Sequence, residues 1–365
     1  MRSVSDPRGT PSWWNAAVTR RELSDGEWEL IEPFLPIGRY GPFPQHLREQ
    51  FEGVIWRFRT GSQWREMPEE FGAWQTVYDR FAQWRDVGVF AALMEGMIAE
   101  AARRGVPGQR GLHGGPRPSR RGRDGGGTGG PGGAGRGRGA GKGAAETGQT
   151  TPATVGSPTC WSERAERRRL RPRRRARLKA AALGRSRGGL TSKVHLAADR
   201  RCRPLAFVLT PGQAADGPRF VAVLEKVKVR GPVGRPRTRP DAVAADKAYS
   251  SRANHTYLRR RGIKADIPEK ADQAANRKKR GRDGGRPVVH DAEQYKERNT
   301  VERCINQIRA WRGLATRYDN MPASYMAGLQ LHGSIIWIRS LNPGRGSGAR
   351  WADRTPLPLT VRPVR

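Results

Sequence analysis

Residues 295–309 read YKERNTVERCINQIR, and this stretch decides how the rest of the chain is understood. Tyr295, Arg298, Glu302 and Arg309 follow the spacing Y-x2-R-x3-E-x6-R. At 3.6 residues per turn, offsets of three, four and seven bring all four onto one helical face. Val301, Cys304, Ile308 and Trp311 form an adjacent apolar stripe, so the helix can pack while presenting Glu302 to a cleft. Taken alone, the stretch has a second reading: an exposed helix in which Arg298 and Glu302 form an i,i+4 ion pair.

Upstream, residues 241–251 read DAVAADKAYSS. The apolar run Ala242 to Ala245 ends in Asp246, which suits a buried strand whose tip delivers a carboxylate. A lone Asp at a strand end is otherwise a turn former. Glu302 follows Asp246 by 56 residues. The two stretches, in this order, resemble the signature of bacterial insertion-sequence DDE transposases. That resemblance implies an RNase H-like catalytic domain in which Asp246 is the second and Glu302 the third metal-binding carboxylate. It further implies that Arg298 and Arg309 contact DNA phosphates and that Tyr295 buttresses the helix.

The resemblance extends from Arg185 to Leu341. Leu190–Ala198 alternates polar and apolar residues, Pro204–Thr210 is a second β-rich run, and Asp199 to Arg203 is the turn of a hairpin. TPGQAADG, Thr210 to Gly217, leads into a helix from Pro218 to about Val227, and family members carry a similar G-Q-x-x-D loop. Asp216 is read as a loop or helix-capping residue, with Gln213 at most lining the cleft. Near the end, Tyr325, Met326, Leu329, Ile335 and Ile336 belong to an amphipathic helix that covers the sheet.

The N-terminal block predicts helices. Ser24-Asp25-Gly26-Glu27 is a capping box opening a helix with Trp28, Leu30 and Ile31. Leu47, Phe51, Val54, Ile55 and Phe58 have helical spacing. Between Thr60 and Trp84, the residues Trp74, Val77, Tyr78 and Phe81 give an apolar face, and Gln75, Thr76, Asp79, Arg80 and Gln83 a polar one. A helix-turn-helix-like unit fits this pattern, as does a plain bundle whose aromatics are only core. The block is also similar to the N-terminal domain of the same transposase family. Arg80 and Gln83 would then read bases, and Arg57, Arg59 and Arg65 would contact phosphates.

One part of the pattern is missing. In the family the first catalytic Asp sits on the opening central strand, and three carboxylates hold two Mg²⁺ ions about 4 Å apart. Residues 105–180 instead run through Gly-, Arg- and Pro-rich sequence. Between Arg103 and Ser162 the only acidic residues are Asp124 and Glu146. No β-branched or aromatic run stands there to build a strand. Family-like sequence stops near Arg104 and resumes near Gly184, as two compensating frame changes in GC-rich DNA would produce. An arginine-glycine segment that binds nucleic acid without folding is the alternative.

Across its 365 residues the chain carries a formal charge of +35 and a pI near 11.5, which points to a polyanionic partner. Arg103 to Ala180 holds 20 basic and 4 acidic residues, so +19 remains without it and the inference survives. Cys160, Cys202 and Cys304 make no zinc pattern with the histidines, and reduced thiols in the cytoplasm are expected. No signal peptide or transmembrane run is evident, so no membrane partner is expected.

The expected organisation is a flexible tail over 1–20, a helical DNA-binding domain over 21–104 and a Gly/Arg-rich low-complexity segment over 105–183. An RNase H-like mixed-sheet α/β domain lacking its first strand follows over 184–341, then an unstructured tail over 342–365. The expected function is insertion-sequence transposition: binding double-stranded DNA at terminal inverted repeats and target sites, with Mg²⁺-dependent strand cleavage and transfer impaired by loss of the first Asp. The alternative is a DNA-binding remnant without chemistry. A nucleoid-associated bacterial protein is expected, with a homodimer among the open oligomeric states.

Overall fold

The computed structural model describes residues 23–36, 46–105, 176–186, 189–287, 299–319, 321–341 and 359–364. Tyr295, Arg298, Cys160, Asp124, Glu146, residues 1–20 and nearly all of 105–183 lie outside them. All described residues belong to one compact unit, to which 1–113 and 176–365 are assigned.

Among the described residues the first four α-helices are α1 (Asp25–Ile31), α2 (Leu47–Thr60), α3 (Trp74–Val87) and α4 (Val89–Arg103). The capping box of α1 forms as expected. The Ser24 hydroxyl accepts from the Glu27 N–H, and the Glu27 carboxylate accepts from the Ser24 N–H at 2.8 Å. Helix α2 stops at Gly61, whose φ of 71° is left-handed and is free for glycine. A Cβ there would also meet Tyr318 and the Gly313 backbone. The connection from α2 to α3 contains two 3-10 turns, Trp64–Glu66 and Glu69–Phe71, and is longer than the three or four residues of a tight helix-turn-helix. Phe51, Phe81, Trp84 and Phe90 build an aromatic core, with ring centroids 5.7–6.4 Å apart in the Phe51–Trp84, Phe81–Phe90 and Phe51–Phe90 pairs.

The second half begins with β1 (Gly184–Ser186), β2 (Gly189–Ala198) and β3 (Pro204–Pro211). Then come α5 (Phe220–Lys226), β4 (Ala242–Ala245), α6 (Arg252–Arg260), β5 (Lys264–Asp266) and α7 (Ala271–Lys279). Last are α8 (Asn299–Arg309), α9 (Arg312–Ala315), α10 (Pro322–Leu341) and β6 (Leu359–Val364). The fold is therefore mixed α/β, with a helical N-terminal region. The six strands form one sheet in the order β1-β2-β6-β4-β5, with β3 on β2. Pairing is antiparallel among β1, β2, β3 and β6, and parallel from β6 through β4 to β5.

The hairpin turn is closed by Asp199, which accepts from the N–H groups of Arg201 (3.0 Å) and Arg203 (2.9 Å) and from Arg203 Nε (2.7 Å). Cys202 takes a left-handed φ of 62° to allow it. Arg203 is almost fully buried, with its guanidinium 4.0 Å from the Trp337 ring centroid, while Trp337 Nε1 donates to the Pro204 carbonyl at 2.7 Å.

Two expectations need correction. Helix α10 is not simply amphipathic, since Tyr325, Leu329, Leu331, His332, Ile335, Trp337 and Ile338 are buried around its circumference. It is buried all round because it is sandwiched between α4 and β3. Gly328 admits Phe58 of α2, and Gly333 fits among Met94 of α4 and Pro204 and Phe207 of β3. Residues 359–364, expected to continue an unstructured tail, form strand β6 instead. β-Branched Thr360, Val361 and Val364 favour a strand when two partner ladders are available. Compositional bias toward Pro, Gly and Arg over 342–365 hid that short run.

Candidate active site and nucleic-acid interface

Strand β4 is apolar and buried throughout, so the chain emerges into half-exposed space at Asp246. The Asp246 carboxylate accepts from the Lys247 N–H at 2.7 Å and caps the 3-10 turn Lys247–Tyr249. That turn is anchored from several sides. Asn254 Nδ2 donates to the Tyr249 carbonyl at 2.9 Å. Gln273 and Ser250 exchange two hydrogen bonds of 2.8 Å. Tyr249 is wholly buried against Phe220, with ring centroids 5.4 Å apart.

Beneath the turn lies a polar layer that sequence reasoning did not single out. His195 is fully buried, with Nε2 2.9 Å from Thr210 Oγ1 and Nδ1 3.5 Å from the Tyr249 hydroxyl. Burial pushes its pKa down to about 4, against the opposing pull of Asp216 and helped by Lys193. The imidazole is therefore neutral near pH 7. Lys193 Nζ donates to Asp216 at 2.7 Å and to the Ala214 carbonyl at 2.9 Å. Asp216 thus closes the loop by an ion pair; it stands at the start of the 3-10 turn Gly217–Arg219 but makes no side-chain cap there. Gln213 is exposed. The signal for this layer was present: Lys193 and His195 stand two apart in the strand, hence on one face.

Glu302 lies on α8 and is exposed, as are Arg303 and Arg309. The stripe Val301, Cys304, Ile308 and Trp311 is buried as predicted. Helix α8 packs on β2 and β6, and β6 neighbours β4, so Asp246 and Glu302 are carried by elements one strand apart. The Arg303 guanidinium reaches the Cys202 thiol, which sets the first turn of α8 beside the hairpin turn. Through β6 the register aligns Ala245 with Val361 and Val361 with Ala197, so Asp246 follows at the level of Leu196.

Among the described residues no three His, Cys, Asp or Glu side chains gather into a group able to hold a metal ion. The strand between the hairpin and β4 reads LTVRPV, without a carboxylate. The described residues therefore do not fit the two-metal arrangement, and no chemical step is derived through it.

In the helical block, α3 buries Val77, Phe81 and Trp84 and exposes Gln75, Thr76, Asp79 and Gln83. Thr76, Asp79, Arg80 and Gln83 line a shallow concavity, with Arg80 Nη1 3.4 Å from Gln83 Oε1. Arg59 and Arg65 are exposed, and Arg65 lies over the Trp74 ring. Arg57, expected at a phosphate, is instead 5% exposed. It faces inward, 5.5 Å from the Trp64 ring centroid and 3.9 Å from Asp319, because its place on α2 falls on the packed side. No described helix is long and apolar enough to cross a membrane.

Comparison with known proteins fits this arrangement. Residues 23–94 match a family described as "Putative transposase of IS4/5 family", and residues 165–329 match the "Transposase DDE domain". An uncharacterized protein, y4sN, of Sinorhizobium fredii is 32% identical over 82 residues, which cover 22% of this chain and 65% of that one. The "Putative transposase for insertion sequence element IS6501" of Brucella ovis is 27% identical over 150 residues, covering 41% of this chain and 100% of the relative. The corresponding protein of IS402 from Burkholderia cepacia is 29% identical over 151 residues, covering 41% of this chain and 64% of the relative. The chain thus spans less than two thirds of the length of the y4sN and IS402 proteins. No solved structure matches. With its helical block matching the IS4/5 description, its later half matching the transposase DDE domain and insertion-sequence transposases among its relatives, the chain is similar to the IS4/5 family of DDE transposases.

Proposed function

We propose that this chain binds insertion-sequence DNA and that its strand cleavage and transfer chemistry is impaired. The DDE domain family generally uses a divalent metal, and Asp246 and Glu302 are the two carboxylates assigned here to that role. An RNase H-like sheet would carry the first Asp on its central strand. The observation that carries the reading is the identity of the strand in that position: β6, six residues with no acid. Two carboxylates alone fix neither a metal pair nor an attacking oxygen, and phosphoryl transfer depends largely on such positioning.

The DNA-binding half rests on charge and shape. Arg80 and Gln83 on the exposed face of α3 supply base-reading groups, with Arg59 and Arg65 beside them for phosphates. Residues 252–286 add 12 basic against 4 acidic residues, and α7 within them buries no side chain. This makes the α6–α7 surface a second phosphate-contacting face, and Arg309 extends the interface along α8. Terminal repeats and target duplex are the partners this chemistry fits.

Fluorescence anisotropy with duplex DNA bearing the element's ends tests the binding half. Affinity should fall steeply and log-linearly with salt, by roughly 10³-fold or more between about 50 and 200 mM for six or more phosphate contacts. Salt-insensitive or undetectable binding would contradict the proposal.

A further inference from the structure

Strand β6 is joined to the sheet differently from the other five. It follows α10 after the 17 residues 342–358, which can span up to about 55 Å when extended. It then enters the sheet interior, antiparallel to β2 over five residue pairs and parallel to β4 over three. Without it, β2 and β4 would each present an open edge to the other, and β4 would pair only with β5. Its pairing is lopsided: β4 accompanies it only from Leu359 to Val361, and Pro363, opposite His195 and without an N–H to donate, stands beyond that ladder, where proline is tolerated. A central strand that is short, tethered and paired with β4 over only three residues has the features of a bound extended peptide.

We infer that β2 and β4 are the walls of a strand-acceptor groove, that Leu359–Val364 is its resident occupant, and that the same extended segment supplied in trans exchanges with it. The groove selects by backbone pairing: a run of about six β-favouring residues, parallel to β4 and antiparallel to β2. A second copy of this chain carries such a segment. The inference is independent of the catalytic reading, because it is defined by ladder geometry and not by any carboxylate.

The test is disulfide trapping in the full-length chain. Ala197→Cys and Val361→Cys stand directly opposite in the register, within bridging reach of an antiparallel pair. On mild oxidation, mass-spectrometric peptide mapping should find the 197–361 link, largely within one chain at low protein concentration. A tether of this length gives an effective concentration in the millimolar range. A synthetic peptide of residues 358–365, added before oxidation, should therefore remove about half of the link at roughly 1 mM and most of it at about 10 mM. Links between labelled and unlabelled copies, rising with protein concentration, equally support exchange. A folded chain with no 197–361 link overturns the occupancy, and a link untouched by peptide overturns the exchange. In the unsubstituted chain, free-peptide rates of amide exchange over Leu359–Val364 would overturn the occupancy without reliance on a variant.

Discussion

The seam around α10 and the centre of the sheet are closed by opposite means. Around α10, side chains and glycines are matched piece by piece. Phe58 sits against Gly328, Met94 and Phe207 against Gly333, and Trp337 is held by Arg203 and the Pro204 carbonyl. At the sheet centre, the gap between β2 and β4 is closed by backbone pairing with a segment from far along the sequence. Side-chain packing of the first kind is intolerant of change, whereas ladder pairing of the second kind accepts any strand of suitable direction and propensity. Stability should therefore reside in the α10 seam, and tolerance of exchange in the sheet centre.

Trp337→Ala should have the largest effect. It removes a fully buried indole, the stack on Arg203 and one hydrogen bond, and leaves a cavity between helix and hairpin. A loss of about 3–5 kcal/mol in denaturant unfolding is expected. A loss below about 1 kcal/mol would show that the seam is not where the molecule is held.

Acid should act next, through the polar layer under β4. His195 is held down to about 4 and His332 to about 3, both chiefly by burial, against an ordinary value of 6.5. Below pH 6.5 the unfolded chain binds protons that the folded chain refuses, so stability is complete above that pH and declines toward pH 4. Each histidine should contribute a slope of about 1.4 kcal/mol per pH unit in that window. Chemical denaturation from pH 7.5 to 4.5 measures it. His195→Gln should flatten the slope, and an unchanged slope would remove His195 from the account.

Smaller effects belong to the α3 surface. Arg80→Ala should weaken binding to a preferred duplex by about 1–3 kcal/mol and relax sequence preference. Arg65→Ala should weaken all duplexes alike and lower the salt slope by about 1. Equal effects of the two substitutions on every sequence would reduce α3 to a backbone contact.

Much of this was legible in the sequence, and for local reasons. The Ser24–Glu27 box, the hairpin at Asp199, the buried run before Asp246 and the stripe Val301–Cys304–Ile308–Trp311 each state their structure within a dozen residues. What was not legible depends on partners far away in sequence. Arg57 reads as a surface cation until Asp319 and Trp64 meet it. Asp216 reads as a cap until Lys193 reaches it from β2. Residues 359–364 read as tail because nothing nearby pairs with them; their ladders come from β2 and β4. Asp246 and Glu302 stood out by spacing, but only the strand order reveals which segment lies between their elements.

The central claim is an incomplete catalytic centre on a DNA-binding fold, and strand cleavage of end-bearing duplex DNA with Mg²⁺ or Mn²⁺ tests it most directly. The purified chain should bind the duplex yet leave it uncut. A version in which the coding frame across residues 105–180 is restored, to supply a β-rich run ending in Asp, should cut it, and Asp246→Ala or Glu302→Ala should then abolish cutting. Robust cleavage by the unaltered chain, lost on Asp124→Ala, would contradict the account by showing that the Gly/Arg-rich segment itself provides the third carboxylate.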